Sequence, residues 1–212
     1  MSLMIEDFGG RLASVWSGLR PATRGLVERA LQARNSALPT SPRSNSNTLN
    51  LPYDARADRE LSLLLSALDE RVIETDLSRQ RDHGMQLRQI ADTCAAVLQE
   101  KTQSAEVFTQ LVRRADSQRD YARIDSLADT LSRFSPTEIC ELARSEDAVV
   151  KALANEALAQ TPTGILVLLL SDPVDSDIAR EALRRQALDY GSEEARQIVS
   201  ALDQMNLTQE DI

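Results

Sequence analysis

Apolar residues recur at steps of three and four along most of this chain, the spacing that gathers them on one face of an α-helix. Residues 3 to 19 set Met4, Ile5, Phe8, Leu12, Val15, Trp16 and Leu19 on such a face, provided Gly9-Gly10 does not interrupt it. A second helix is predicted over about 21 to 34, opening on Pro21, whose fixed φ and missing N–H suit a first helical turn. Together these form an N-terminal helical pair, 1–34. Residues 35–57 are rich in Ser, Asn and Pro, show no period, and are predicted to be a flexible linker. From Asp58 the stripe resumes through Leu61, Leu64, Leu65, Leu68, Val72 and Ile73, and again through Leu87, Ile90, Ala91, Cys94, Val97 and Leu98. The polar run SRQRDHG lies between the two. Gly84 costs roughly 1 kcal/mol inside a helix, which favours a helical hairpin over 58–102 rather than one long helix.

From 103 to 212 the pattern becomes short alternating helices. Phe108, Leu111 and Val112, then Ile139, Leu142 and Ala143, then Leu166, Leu169 and Leu170 repeat one i, i+3, i+4 stripe. Each is followed by a turn and a second helix, burying Ile124, Leu127 and Leu131, then Val150, Leu153, Ala154 and Leu158, then Ile178, Ala182, Leu183 and Leu188. A last helix, about 192 to 204, brings Ile198, Val199 and Leu202. Local chemistry marks the cuts: Ser135-Pro136-Thr137-Glu138 combines a capping box with Pro at the first helical position, and Gly191-Ser192 reads as a left-handed stop followed by a new cap. Arg123, Lys151 and Arg180 stand at matching points of the three second helices, 28 and 29 residues apart.

The segment LVLLLSDPVDSDIAREALRRQAL resembles a HEAT-type repeat, whose pattern is an apolar helix, an Asp-Pro turn, then Val-Arg leading an Ala-rich second helix. Asp172-Pro173 match the turn, and Ile178 with Arg180 approximate the pair. Val150-Lys151 in ELARSEDAVVKALANEAL fits the pair directly, and the 104 to 131 unit fits loosely, without the Pro. The resemblance covers about residues 104 to 204, with a period shorter than the ~40 residues of HEAT units. It implies an all-α fold, a short HEAT-like α-α superhelix preceded by the hairpin. It also implies that the recurring basic residue bonds to an acidic or carbonyl group of the neighbouring unit.

Composition agrees with the class. Aromatic residues make up 3% of the 212, and the apolar content is mainly Leu, Ala, Val and Ile, the mix that helix packing uses. The net charge of -9 argues against non-specific nucleic-acid binding, which needs cations to displace counterions from phosphates, so no nucleic-acid partner is expected. The longest apolar stretch, Ile165 to Leu170, is far short of the ~18 residues a membrane span needs, and the opening residues do not read as a secretory leader; the expectation is a cytoplasmic protein without membrane association.

Candidates for chemistry are few, and neither a catalytic residue nor a metal or other cofactor is expected. His83 is the single histidine, near a helix boundary and without the residues that follow a phosphotransfer histidine. Asp172, Asp175 and Asp177 crowd one turn but lack the Gly and terminal Glu of a calcium loop, and read as helix caps. Cys94 and Cys140 have no metal-ligand spacing and read as buried thiols. The candidate binding residues are Arg113, Arg114, Arg119 and Arg123, crowded on one hairpin, with Arg184 and Arg185 two repeats on. Arginine makes bidentate contacts to carboxylates, so these residues suit an acidic peptide or helix of a partner protein. The leading expectation is a non-enzymatic protein-protein interaction scaffold. Two alternatives stay open: a HEAT-like enzyme acting on nucleic acid or a chromophore, and a helical-bundle signalling or histidine phosphotransfer protein that forms a homodimer through residues 58–101.

Overall fold

The computed structural model describes residues 5–36, 54–77 and 81–210, and among them the regular structure is entirely helical. None of the described helices is long and apolar enough to cross a membrane. Most of the expected linker, 37–53, lies outside the described residues. The chain divides into two compact units, Met1–Leu111 and Val112–Ile212.

The first unit opens with a 3-10 turn, Ile5–Phe8, followed by α1 (Gly10–Gly18) and α2 (Pro21–Ser36). The single helix expected over 3 to 19 is therefore broken, and Gly9 is the cause. Its φ of 124° lies where L side chains rarely go. The carbonyl of Phe8, released from helical bonding, accepts from Arg71 Nε at 2.8 Å. Next come α3 (Ala55–Leu77) and α4 (Arg81–Lys101), packed against each other, with Cys94 Sγ set 3.5 Å from the carbonyl of Leu61. The N-terminal elements pack on this pair, α1 on α3 and α2 chiefly on α4.

Burial explains why. Leu61, Leu64, Leu65 and Leu68 of α3 and Leu87, Ile90, Ala91 and Leu98 of α4 are sealed from solvent, together with Leu26 and Val27 of α2 and Trp16 of α1. At roughly 25 cal/mol per Å² of apolar surface, such residues dominate the stability of the unit. Most of the stripe expected over 58–101 packs within the chain. Ile73, expected on that stripe, faces solvent instead.

The second unit holds the last part of α5 (Ala105–Ser117) and three further pieces: α6 (Tyr121–Thr130), α7 (Pro136–Ala143) with α8 (Ala148–Ala159), and α9 (Thr163–Leu169) with α10 (Ser176–Leu188), closed by α11 (Glu193–Glu210). The α5–α6 turn is a Schellman closure: Asp120 N–H donates to Ala115 O and Arg119 N–H to Asp116 O, both at 2.9 Å. Arg119 occupies the left-handed position, φ 56°, that glycine usually fills. At Gly191 the left-handed stop expected from sequence is present, φ 65°, and Ser192 Oγ accepts from Ala195 N–H at 3.2 Å. Ser135 likewise caps α7, accepting from Glu138 N–H at 3.3 Å.

The first-helix stripes are buried except Leu170, which is half-buried, and most of the second-helix stripe follows. Leu188, expected inside, is 81% exposed, because α10 ends there and the chain turns away. One buried polar residue interrupts the stripe of α10. Gln186 receives Thr163 Oγ1 at 3.1 Å and donates to the carbonyls of Ala159 and Thr161 at 3.1 and 2.6 Å, so it fastens α10 to the α8–α9 corner with its own polar atoms satisfied.

Candidate functional groove

The arginines singled out from sequence do not form one surface free for a ligand. Arg113 Nε donates to Asp147 at 3.1 Å. Arg114 is buried. Arg119 sits exposed in the α5–α6 turn, and Arg123 is half-buried on α6. Arg184 reaches Asp203 at 3.4 Å and Arg185 reaches Asp189 at 3.6 Å. Arg113, Arg184 and Arg185 are thus paired with carboxylates of the same chain, which offset part of the charge an acidic ligand would seek.

The Arg113–Asp147 pair shares its pattern with another, Arg144–Asp175. Asp120, Asp147 and Asp175 stand at the N-termini of α6, α8 and α10, 27 and 28 residues apart. Asp147 accepts from Val149 and Val150 N–H as a cap and from Arg113 at the end of α5. Burial pushes its carboxyl upward, yet the bonds from Val150, Arg113 and Val149 hold it below the usual range. Asp175 makes no side-chain cap and instead takes Arg144, which follows α7, at 2.5 Å. In both cases an arginine in the C-terminal half of the first helix of a pair, or just past its end, holds the acid that opens the second helix of the next pair. Lys151 is exposed and makes no ion pair among the described residues, while Arg180 is half-buried with Nε lacking a hydrogen-bond partner. The period of basic residues therefore marks equivalent positions, and the described ties run through Arg113 and Arg144.

The other candidates fall away from any shared centre. His83 is exposed, its ring edge-on to Phe8 with centroids 5.9 Å apart. In the acidic turn, Asp172 Oδ1 accepts from Val174 N–H at 2.8 Å and Asp177 faces solvent. Among the described residues no three His, Cys, Asp or Glu side chains converge as a metal site would require. Burial, with Asp175 nearby, pushes the Cys140 thiol up to about 11, far from a reactive thiolate.

What sequence reasoning missed is a concavity. A groove of about 570 Å³ opens in the second unit, between the corner that joins α6 to α7 and the C-terminal half of α8. The corner exists because α6 tightens into a 3-10 turn over Leu131–Arg133 and Phe134 runs extended into the Ser135 cap. Leu131, Phe134 and Ile139 line one side, Leu153 and Ala157 of α8 the other, and Ile165 of α9 one end. Polar side chains stand among them, including Asp129, Glu156 and Gln160. The carboxylate of Glu156 is fixed in place: Tyr190 Oη and Gln160 Nε2 both donate to its Oε1, the latter at 2.9 Å. The Tyr190 bond, with that of Gln160, holds Glu156 below the usual carboxylate range, and the same bond raises the Tyr190 phenol. A carboxylate held ionised is a poor proton donor and a good acceptor for a cation. No protein-family model, curated protein or solved structure matches the chain.

Proposed function

We propose that this protein is a non-enzymatic interaction scaffold, built in its second half from degenerate HEAT-like helical pairs, and that the groove beside α8 is where a partner protein docks. The observation that carries this reading is the groove: it has the volume of a ligand pocket and a mainly apolar lining with a few fixed polar groups. The two ties from an arginine to the aspartate that opens the second helix of the next pair support the repeat reading, since they join successive helical pairs in a similar way. Because carboxylates already hold Arg113, Arg184 and Arg185, the groove is a better seat for a partner than the arginine surface.

Ala157 stands in the groove wall and is half-buried, so arginine there fills the space without entering the core. Wild type and Ala157→Arg, matched for helix content by circular dichroism, are used as bait in extracts of the source organism. The expected result is a protein retained by wild type and lost with the variant. The same proteins retained by both would contradict the assignment.

A further inference from the structure

Three modes by which proteins take a segment of another chain are distinguishable here. Strand addition needs an exposed sheet edge, and the described structure is helical throughout. Proline-rich segments need an aromatic-lined groove, whereas Phe134 is the one aromatic residue in this lining. A groove between helices, lined by Leu and Ile side chains, suits the third mode, an amphipathic helix that inserts apolar anchors spaced by one turn.

The apolar surface continues past the groove. Leu168, one turn from Ile165 on α9, is 73% exposed. The charged side chains that line the groove have one sign. The lining includes Asp129 and Glu156 and no cationic side chain. The cation whose field acts on Glu156 is Arg185, which pairs with Asp189. Tyr190 and Gln160 both occupy Oε1 of Glu156, leaving Oε2 to an incoming donor. The whole chain, at net charge -9, adds a long-range pull on cations.

Resting on the groove as the docking site, we propose that its occupant is an amphipathic helix of a partner protein carrying Lys or Arg beside its apolar face. The apolar anchors fill the groove while the cations meet Glu156 and Asp129 at its rim.

The probes are two synthetic helical peptides, acetylated and amidated, with the same Leu positions and a polar face of Lys in one and Glu in the other. Binding to the full chain is read by fluorescence anisotropy. The Lys peptide is expected to bind at least about tenfold more tightly, with affinity that falls as salt rises. Glu156→Lys combined with Asp129→Lys is expected to reverse the preference, and Ala157→Arg to remove binding of both peptides. If the Glu peptide binds as well as the Lys peptide while Ala157→Arg still abolishes binding, the cationic partner is overturned and the groove stands. If Ala157→Arg changes neither affinity, or neither peptide binds saturably up to about 1 mM, the groove itself is overturned as the site.

Discussion

Asp54 performs two tasks in the first unit. Its Oδ1 accepts from Ala57 N–H at 2.8 Å, capping α3, and its two oxygens take Nη1 and Nη2 of Arg20 at 3.0 and 2.7 Å. The Arg20 bond, then that of Ala57, hold the Asp54 carboxyl down to about 2. Glu60, which receives Arg20 Nε and Thr23 Oγ1, also lies below its usual range despite the opposing effect of burial. A carboxyl with a folded pKa below its unfolded value of ~4 stabilises the fold above that pH and loses its contribution as pH falls toward the folded value. Asp54→Asn, which keeps a capping side chain, is therefore expected to flatten the pH dependence of unfolding between about pH 4 and pH 2, leaving the parts due to Glu60, Asp147 and Glu156. Urea titrations at stepped pH check this, and an unchanged slope would contradict it. This cap was hidden in the sequence by its Asn- and Pro-rich surroundings, which assigned residue 54 to a linker. Ser135 and Gly191 were legible, because their neighbours Pro136 and Ser192 repeat the same message within two or three residues.

At the scale of elements, the helix pairs of the second unit were readable from their stripes, because each stripe is a local pattern that burial enforces. The joints between pairs were not. Which arginine reaches the next acid depends on where the following helix begins in space, and Arg113 and Arg144 occupy no matching point of the 28–29-residue period of basic residues. Arg144 with Asp175 is the more exacting joint, since the Asp175 side chain is 5% exposed and the Arg144 side chain 40%. Removing the arginine leaves a carboxylate out of water without its partner. Arg144→Ala is expected to cost about 2 kcal/mol, less than the ~3–5 kcal/mol of a fully enclosed pair because water reaches the arginine side. Chemical denaturation of the variant measures this, and a loss under ~0.5 kcal/mol, the range of ordinary surface substitutions, would contradict the role given to the pair. Gln186 escaped the sequence reading for a related reason: its three partners lie 23 to 27 residues away, and nothing beside it signals them.

For the molecule as a whole, the all-helical class followed from periodicity and from the scarcity of aromatic residues. The groove did not. Leu131, Leu153 and Ile165 each belong to a separate helical pair or corner; Leu131 and Leu153 look like ordinary members of core stripes, and Ile165 like the start of an apolar run, until the fold leaves a space between them. Sequence reasoning found charge more easily than shape, and so it pointed to arginines that the fold ties to carboxylates. The central claim is that recognition takes place in the groove rather than on those arginines. Methyl-labelled protein titrated with the Lys-faced peptide tests it most directly, since Leu and Ile methyls line the groove. The expected result is shifts concentrated on Leu131, Ile139, Leu153, Ile165 and Leu168. Shifts concentrated instead on methyls beside Arg184 and Arg185, with those five unmoved, would contradict the account.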